Sequence, residues 1–187
     1  MRKNSINGFA VDVDLYKNNK FIPSVLLALL DHSQWKYGDN FSTVYSLNKT
    51  KLLNYINKDS KIITMNTLTS QLKFLVDFGK IIIDNNNVTI VGVDSAYVVL
   101  NKEQKEVIRN IKNKHTQRLA LLHLNSIKFF GGEHFKSLET IANELGVSKS
   151  HLNNITKMNK ELKELGVIKY NLIHKNSSFV NIYTTSM

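Results

Sequence analysis

The sequence has no cysteine among its 187 residues, only one proline and no long run of apolar residues. The lack of cysteine excludes disulfides and thiolate zinc sites. A helix that spans a bilayer needs about 18 or more consecutive apolar residues, and no stretch here approaches that length. Two basic residues near the start are not followed by an apolar segment, which predicts no signal peptide and a cytoplasmic protein.

Residue patterns typical of enzymes and metal sites are also missing. The six histidines are scattered and show no spacing typical of zinc ligands. The pair Gly131-Gly132 is not followed by the Lys and Ser/Thr of a phosphate-binding loop. There is no nucleophile motif and no acidic trio that would hold magnesium. These absences predict a protein without enzyme activity, cofactor or bound metal.

Positive charge, by contrast, is abundant. The chain has 25 Lys and Arg against 15 Asp and Glu, a formal net charge of +10. Residues 1–100 hold 11 basic and 8 acidic side chains, and residues 101–187 hold 14 and 7. Such a surplus attracts polyanions at long range, although Lys and Asn are also common in proteins from AT-rich genomes. The second half is therefore predicted to make the stronger electrostatic contact.

The segment 137–170 (SLETIANELGVSKSHLNNITKMNKELKELGVIKY) has the pattern of helix, tight turn, longer helix and strand. Apolar residues at the helical period mark both helices. Gly146 separates them, where a left-handed residue is favourable, and Ser148 is positioned to cap the second helix. Gly166 ends that helix, and a strand is predicted to begin at Val167.

The first half repeats this pattern. Gly79 aligns with Gly166 at an offset of 87 residues, and apolar residues align before both glycines, which predicts a structural repeat. Between the halves, 94–100 is predicted to be extended and 102–130 to be one long helical region. In the first half, helices are predicted over 23–30, over 46–56 and from Thr64 or Asn66 to Gly79, followed by strands over 80–84 and 88–91 around the turn Asn85-Asn86-Asn87.

A helix-turn-helix followed by a β-hairpin resembles the winged helix-turn-helix domain of DNA-binding proteins. The resemblance rests on SLETIANELGVSKSHL with LKELGVI in the second half, and on TLTSQLKFLVDFGKIII in the first. Two such units on one short basic chain resemble the DNA-binding part of plasmid replication initiators and phage replisome organisers. The resemblance implies a mainly α fold with small β-hairpins (α+β), built from two winged helix-turn-helix domains in tandem over residues 1–100 and 101–187.

The second helix of such a motif usually enters the DNA major groove, where Asn pairs with adenine and Lys with guanine or phosphate. In the second half, the face opposite Leu152, Ile155 and Leu162 is polar. Residues near the start of this helix are predicted to reach bases, whereas later lysines and the hairpin lysines hold the backbone. The predicted DNA-binding residues of this half are Lys149, Ser150, His151, Asn153, Asn154, Lys157, Lys160, Lys169 and Lys175.

The corresponding helix of the first half is polar but carries only one charge. It either reads bases through amides and hydroxyls or forms a surface for a protein partner. The predicted residues are Asn66, Thr67, Ser70, Gln71 and Lys73, with Lys49 and Lys51 on the preceding helix as phosphate contacts.

These patterns together predict sequence-specific binding to double-stranded DNA, in replication initiation or its control on a plasmid or phage. Transcriptional regulation and an accessory role in conjugation are alternative interpretations, because such proteins use the same module. A protein-interaction scaffold is an alternative of another class, against which the net charge of +10 argues. Expected partners are double-stranded DNA and either a second copy of the chain (a dimer) or a replication or transfer protein, with no membrane.

Overall fold

The computed structural model describes residues 9–35, 41–92, 96–175 and 178–186. Within these ranges the chain is a mixed α+β protein with small antiparallel sheets, which agrees with the predicted class. The side chains of Lys149 and Lys175, two of the predicted DNA contacts, lie outside the described part.

The first half contains two sheets, which helices flank. One pairs its first and last strands, β1 and β6, and the other has the strand order β2-β3-β5-β4. Its elements in chain order are β1 (Phe9–Asp12), α1 (Val13–Lys17), α2 (Pro23–His32), β2 (Gln34–Trp35), β3 (Phe41–Val44), α3 (Lys49–Ile56), α4 (Met65–Asp77), β4 (Ile81–Asp84), β5 (Asn87–Val91) and β6 (Tyr97–Leu100).

The second half is built around one three-stranded sheet with the order β7-β9-β8. A single 3₁₀ turn over Lys149–His151 precedes its last helix. Its other elements are α5 (Lys102–Asn110), α6 (Lys114–Phe129), β7 (Glu133–Phe135), α7 (Leu138–Glu144), α8 (Leu152–Glu164), β8 (Ile168–Lys175) and β9 (Ser178–Thr185).

The two halves repeat one order of elements: helix, strand, two helices and a hairpin. In both, the early strand pairs with the last strand of the hairpin, as β3 does with β5 and β7 with β9. The predicted offset of 87 places α4 on α8 residue for residue. Gly79 and Gly166 both have positive φ (68° and 70°), which costs glycine little, and the next residue donates to a carbonyl five positions back at 2.8 and 2.9 Å. The predicted repeat therefore holds at the level of elements and helix ends.

Two details of the predicted helices are corrected. The helix expected from residue 46 begins at Lys49, because Ser46 has a φ of 51° and the side chain of Asn48 caps the helix by accepting from Lys51 N at 3.0 Å. At the aligned helix ends, Phe78 and Leu165 are 36% and 42% exposed, so this shared position is not part of the core.

The predicted long helix over 102–130 is two helices, α5 and α6. The chain is extended at Ile111, whose side chain is buried, and Asn113 starts α6 by accepting from His115 N at 2.9 Å. Gln117 also donates to the Ile111 carbonyl at 2.6 Å. A buried side chain and two side-chain hydrogen bonds thus stabilise the interruption between α5 and α6, which the periodic spacing of apolar residues did not reveal.

Contacts cross the predicted boundary at residue 100. Helix α5 packs on α2, where Asp31 forms ion pairs with Lys105 and with Arg109, the latter at 3.2 Å. From α6, the fully buried guanidinium of Arg118 donates to the carbonyls of Tyr16 and Lys17 at 2.7 and 2.9 Å, and also to that of Leu145. Because a buried charge needs such partners, Arg118 joins α1, α6 and α7.

Candidate nucleic-acid interface

Helix α8 and the turn before it present a polar surface to solvent. The buried side is formed by Ile155, Met158, Asn159 and Leu162, three or four residues apart around the helix, so the positions on the opposite side point away from the core. The predicted DNA contacts that lie exposed on this surface are Ser150, His151, Asn153, Asn154, Lys157 and Lys160.

The start of α8 differs from the prediction. Ser148 does not cap the α-helix but organises the 3₁₀ turn: its carbonyl accepts from His151 N at 2.9 Å, and its hydroxyl lies 3.0 Å from that of Ser150. His151 occupies the N-cap position of α8, and its side chain makes no capping hydrogen bond.

Helix α4 presents the corresponding surface of the first half. Asn66, Ser70 and Lys73 are exposed on it. Thr67 is half-buried, and its hydroxyl lies 2.9 Å from that of Thr64, which caps the helix by accepting from Thr67 N at 3.2 Å. Three of the predicted residues thus face solvent, while Thr67 also stabilises the start of the helix.

The expected exposed position of Gln71 is corrected. Gln71 is 6% exposed, and its side chain accepts from Ile22 N at 2.9 Å and donates to the Lys20 carbonyl at 2.8 Å. The aligned residue of α8, Met158, is also buried. Gln71 therefore connects α4 to the segment before α2.

The two hairpins differ in their reach. The turn of the first is bound to its own half, because Ser46 N donates to Asn87 Oδ1 at 3.1 Å and Leu47 N to the Asn86 carbonyl at 2.5 Å. In the second, β8 and β9 are eight residues each, and β7 covers only three positions of β9. The remaining pairs of β8 and β9 form a two-stranded ribbon that extends past the end of β7. Lys169 is exposed near its base, and Lys49 and Lys51 are exposed on α3.

A short stretch of chain from each half lies between α4 and α8. We call Asn19, Lys20, Asn113, Lys114 and His115 the interhelical ridge. It is held together by a hydrogen bond of 2.9 Å from Lys114 Nζ to the Asn19 carbonyl.

The ridge borders two grooves. A groove of about 470 Å³ lies between it and Asn66, Thr67 and Ser70 of α4. A second groove, of about 400 Å³, lies between it and the His151, Asn154 and Lys157 side chains at α8. Both polar helix faces therefore border one continuous surface.

Sequence reasoning did not assign the ridge, because its lysines resemble solvated lysines of a helix face. Lys114 is half-buried, and burial together with the nearby Arg118 lowers its pKa. The pKa of His115 is lowered by burial and by Arg118, Lys114 and His151. The only local sign of this site is the pair Asn110 and Asn113, which flanks the helix break.

Two of the histidines that look scattered in the sequence meet in the second core. His123 Nδ1 lies 2.9 Å from His134 Nε2, and His123 Nε2 lies 2.8 Å from Asn159 Oδ1. Asn159 Nδ2 in turn donates to the Tyr183 hydroxyl at 3.2 Å. Burial lowers the pKa of His123 to about 3, with His134 contributing, and lowers that of His134 to about 4, with Lys136 contributing. Both rings are therefore neutral at pH 7.

In the part of the chain that the structure describes, no group of three or more His, Asp or Glu side chains is arranged to hold a metal ion. None of the described helices is long and apolar enough to cross a membrane. No protein-family model matches the chain, and no curated protein matches it either.

Proposed function

We propose that this chain is a tandem winged helix-turn-helix protein that binds double-stranded DNA in a sequence-specific way and has no enzyme activity. The observation that carries the proposal is the pair of aligned, solvent-facing polar helix surfaces on α4 and α8, which border one ridge on a chain of net charge +10. The repeated order of elements supports it, since each half has a helix-turn-helix followed by a hairpin.

In this proposal α8 makes the main contact. Asn153 and Asn154 read base edges from the first turns of the helix, where an amide can bond adenine at two atoms. Lys157 and Lys160 bind the phosphate backbone further along. Lys149, Ser150 and His151 belong to the 3₁₀ turn before α8 and add contacts there in this proposal. Lys169 and Lys175 on the long hairpin contact the flanking backbone or minor groove.

Helix α4 makes the weaker contact, with Asn66, Thr67, Ser70 and Lys73 towards the DNA and Lys49 and Lys51 of α3 on phosphates. Gln71 is left out of this set because its amide is bound to backbone. An α4 surface that binds a protein, such as a second copy or a replication or transfer protein, is the alternative for this half.

For the biological role we propose replication initiation or its control on a plasmid or phage, in the cytoplasm. The resemblance of the two helix-turn-helix segments to such initiators motivates this choice. Transcriptional regulation and conjugation use the same module, so mapping the bound sites across the genome separates the roles. An iterated array of sites would support replication, and a palindrome at a promoter would support regulation.

The direct test is DNA binding as a function of salt, measured by fluorescence anisotropy on a duplex of about 30 base pairs, long enough for two adjacent turns. For a DNA-binding protein, log K falls linearly with log salt, by about 0.9 for each phosphate contacted. The triple variant Lys157→Ala, Lys160→Ala, Lys169→Ala should flatten this slope by about three units.

The matched control is the double variant Lys102→Ala, Lys128→Ala, which removes exposed lysines on α5 and at the far end of α6. It should leave the slope nearly unchanged. A protein-interaction scaffold would show no binding with a steep salt dependence, and that result would reject the proposal.

A further inference from the structure

The interhelical ridge carries positive charge beside the polar face of α4. Lys20 and Lys114 border the groove on the α4 side, and His115 borders the groove on the α8 side together with His151. Among the described residues that line these two grooves, Glu161 is the carboxylate, and its Oε2 accepts from Thr116 Oγ1 at 2.9 Å. The two ridge lysines repel each other unless an anion lies between them.

The hydrogen bonding of His115 orients a donor towards the second groove. Arg118 Nη1 lies 3.1 Å from His115 Nδ1. A guanidinium can only donate, so His115 Nδ1 must accept, and in the neutral ring the proton is on Nε2. Nε2 lies on the opposite edge of the ring from buried Arg118 and has no hydrogen-bond partner among the described residues. His115 is thus held as a neutral N–H donor.

The ammonium of Lys114 is oriented in a comparable way. Its hydrogen bond to the Asn19 carbonyl uses one of three protons and fixes the Nζ atom on the ridge. Lys20, the next residue after Asn19, is exposed at the same groove. The ridge thus carries two ammonium groups at the groove beside α4 and one imidazole N–H donor at the groove beside α8, and all three groups suit phosphate oxygens.

We propose that the interhelical ridge is a binding site for a phosphate group, and that its ligand is a backbone phosphate of the duplex lying between the two reading helices. The proposal rests on the proposed DNA-binding function. In this arrangement Lys20 and Lys114 neutralise the phosphate, and His115 Nε2–H donates to it. The contact carries no sequence information, and it sets how far the α4 contact lies from the α8 contact on the DNA.

The pH dependence follows from the charged groups around His115. Burial lowers the pKa of His115, and Arg118 and Lys114 on its own helix and His151 at the start of α8 lower it further. Lys157 lines the same groove, and Glu161 there is bound to Thr116. Because its pKa is lowered, His115 gains less charge on acidification than an ordinary histidine, and its contribution to DNA affinity should change less between pH 8 and pH 6. An ordinary exposed histidine on the phosphate backbone would contribute more at pH 6, where it gains charge.

The test uses the full chain and a random-sequence duplex of about 30 base pairs, which covers the two adjacent turns. Lys114→Gln and Lys20→Gln should each flatten the salt slope by about one unit. Lys128→Gln, at the opposite end of the helix that holds Lys114, should not change it. His115→Leu should weaken binding about tenfold, as expected for loss of a hydrogen bond to a charged group, with less difference between pH 8 and pH 6 than loss of an ordinary exposed histidine would give. His32→Leu, at the far end of α2, is its control.

Nitrogen-15 spectra of the histidine rings identify the source of the phosphate. Addition of the duplex should shift His115 Nε2 at stoichiometric concentrations, whereas inorganic phosphate should do so only at high millimolar concentrations. If phosphate alone binds tightly and the duplex does not shift the ring, the site serves a small phosphate ligand and the DNA-backbone proposal is overturned. Unchanged slopes in both lysine variants, with normal duplex binding by the wild type, also overturn it. If the duplex does not bind at all, the proposed function itself fails.

Discussion

The two halves of the molecule share one plan but fill its centre with different chemistry. Strand pairing puts Ile83 opposite Val88 in the first half and Tyr170 opposite Tyr183 in the second. Because the offset of 87 aligns Ile83 with Tyr170, Val88 corresponds to Tyr183. One core strand position is therefore a small aliphatic residue in the first half and a tyrosine in the second.

The neighbouring positions change in the same direction. Val44 pairs with Val88, and His134 pairs with Tyr183, so Val44 corresponds to His134. The offset also aligns Leu72 with Asn159. All of these side chains are buried, with less than a tenth of their surface exposed. The first core is thus held by apolar packing where the second has a hydrogen-bonded network.

This difference shows that a repeated order of elements constrains the backbone more than the core. In the second half, Asn159 Oδ1 can only accept, so His123 carries its proton on Nε2 and its Nδ1 accepts from His134 Nε2–H. His134 Nδ1 is then a bare acceptor, buried without a partner among the described residues. A proton added to His123 Nδ1 would face the His134 Nε2–H donor, and one added to His134 Nδ1 would have no acceptor among the described residues. The second half therefore has a sensitivity to acid that the aliphatic positions of the first half do not provide.

The largest expected effect is therefore selective loss of the second half in acid. The folded pKa values of His123 and His134 lie below the unfolded value, so their contribution to stability is complete above about pH 6.5 and falls as the pH drops towards about 4 and 3. Each proton taken up on unfolding costs about 1.4 kcal/mol of stability per pH unit. Hydrogen exchange between pH 7 and pH 4.5 should show β7, α8 and β9 losing protection before α4 and β5.

A matched variant checks the cause of that acid sensitivity. Replacing the network by the aliphatic residues of the first half (His134→Val, Asn159→Leu, Tyr183→Val), together with His123→Leu, should remove the difference in pH dependence between the halves. Lys136 lies close enough to affect both rings and stays unchanged in this variant. If the second half of this variant remains sensitive to acid, groups outside the network cause the sensitivity.

A single exchange at one aligned position gives the next largest effect. Asn159→Leu leaves His123 Nε2–H without its acceptor, at a cost of about 1–3 kcal/mol, and removes one of the two side-chain hydrogen bonds of Tyr183, which keeps the one to Asn181. Leu72→Asn makes the opposite exchange in the first half and buries an amide among apolar side chains, which should cost a similar amount. Chemical denaturation measures both free energies of unfolding. If both substitutions leave the free energy of unfolding unchanged, the aligned positions do not have equivalent roles in the two cores.

Local signals in the sequence predicted the parts of the fold that depend on neighbouring residues. Helices α4 and α8, their glycine ends and the first hairpin follow from the periodic spacing of apolar residues, from the ease of positive φ at glycine and from the asparagine turn. Gln71 was misjudged because its partners, Lys20 and Ile22, lie about fifty residues away in sequence. A periodic pattern cannot show which polar residue finds a distant backbone group.

The candidate interface also contains residues that local sequence signals predicted and residues that they missed. Residues on the solvent side of α8, such as Asn154, were found because one helix places them. The interhelical ridge was missed because it forms only when the segment at Lys20 meets the start of α6 at Lys114. The buried contact of His123 with His134 was missed for the same reason, since β7 has to fold back onto α6.

A smaller effect is expected from the amides that we propose to read bases. Asn153→Ala and Asn154→Ala on α8 should each cost about 1–3 kcal/mol on the specific site and little on random DNA. Asn66→Ala on α4 should cost less than about 1 kcal/mol, because the first half makes the weaker contact in this proposal. Anisotropy on both DNAs gives the comparison. Equal losses on specific and random DNA would show that these residues do not read bases.

The smallest effect should distinguish the two hairpins. The second hairpin extends beyond its sheet and carries Lys169 and Lys175, so Lys169→Ala and Lys175→Ala should each flatten the salt slope by about one unit while changing affinity alike for all sequences. The turn of the first hairpin is bound to its own half through Asn86 and Asn87 and carries no positive charge there. Asn86→Ala should therefore leave the slope unchanged, because the backbone carbonyl that binds Leu47 N remains. A flattened slope in Asn86→Ala, or none in the lysine variants, would reverse the assignment and make the short hairpin the one that contacts DNA.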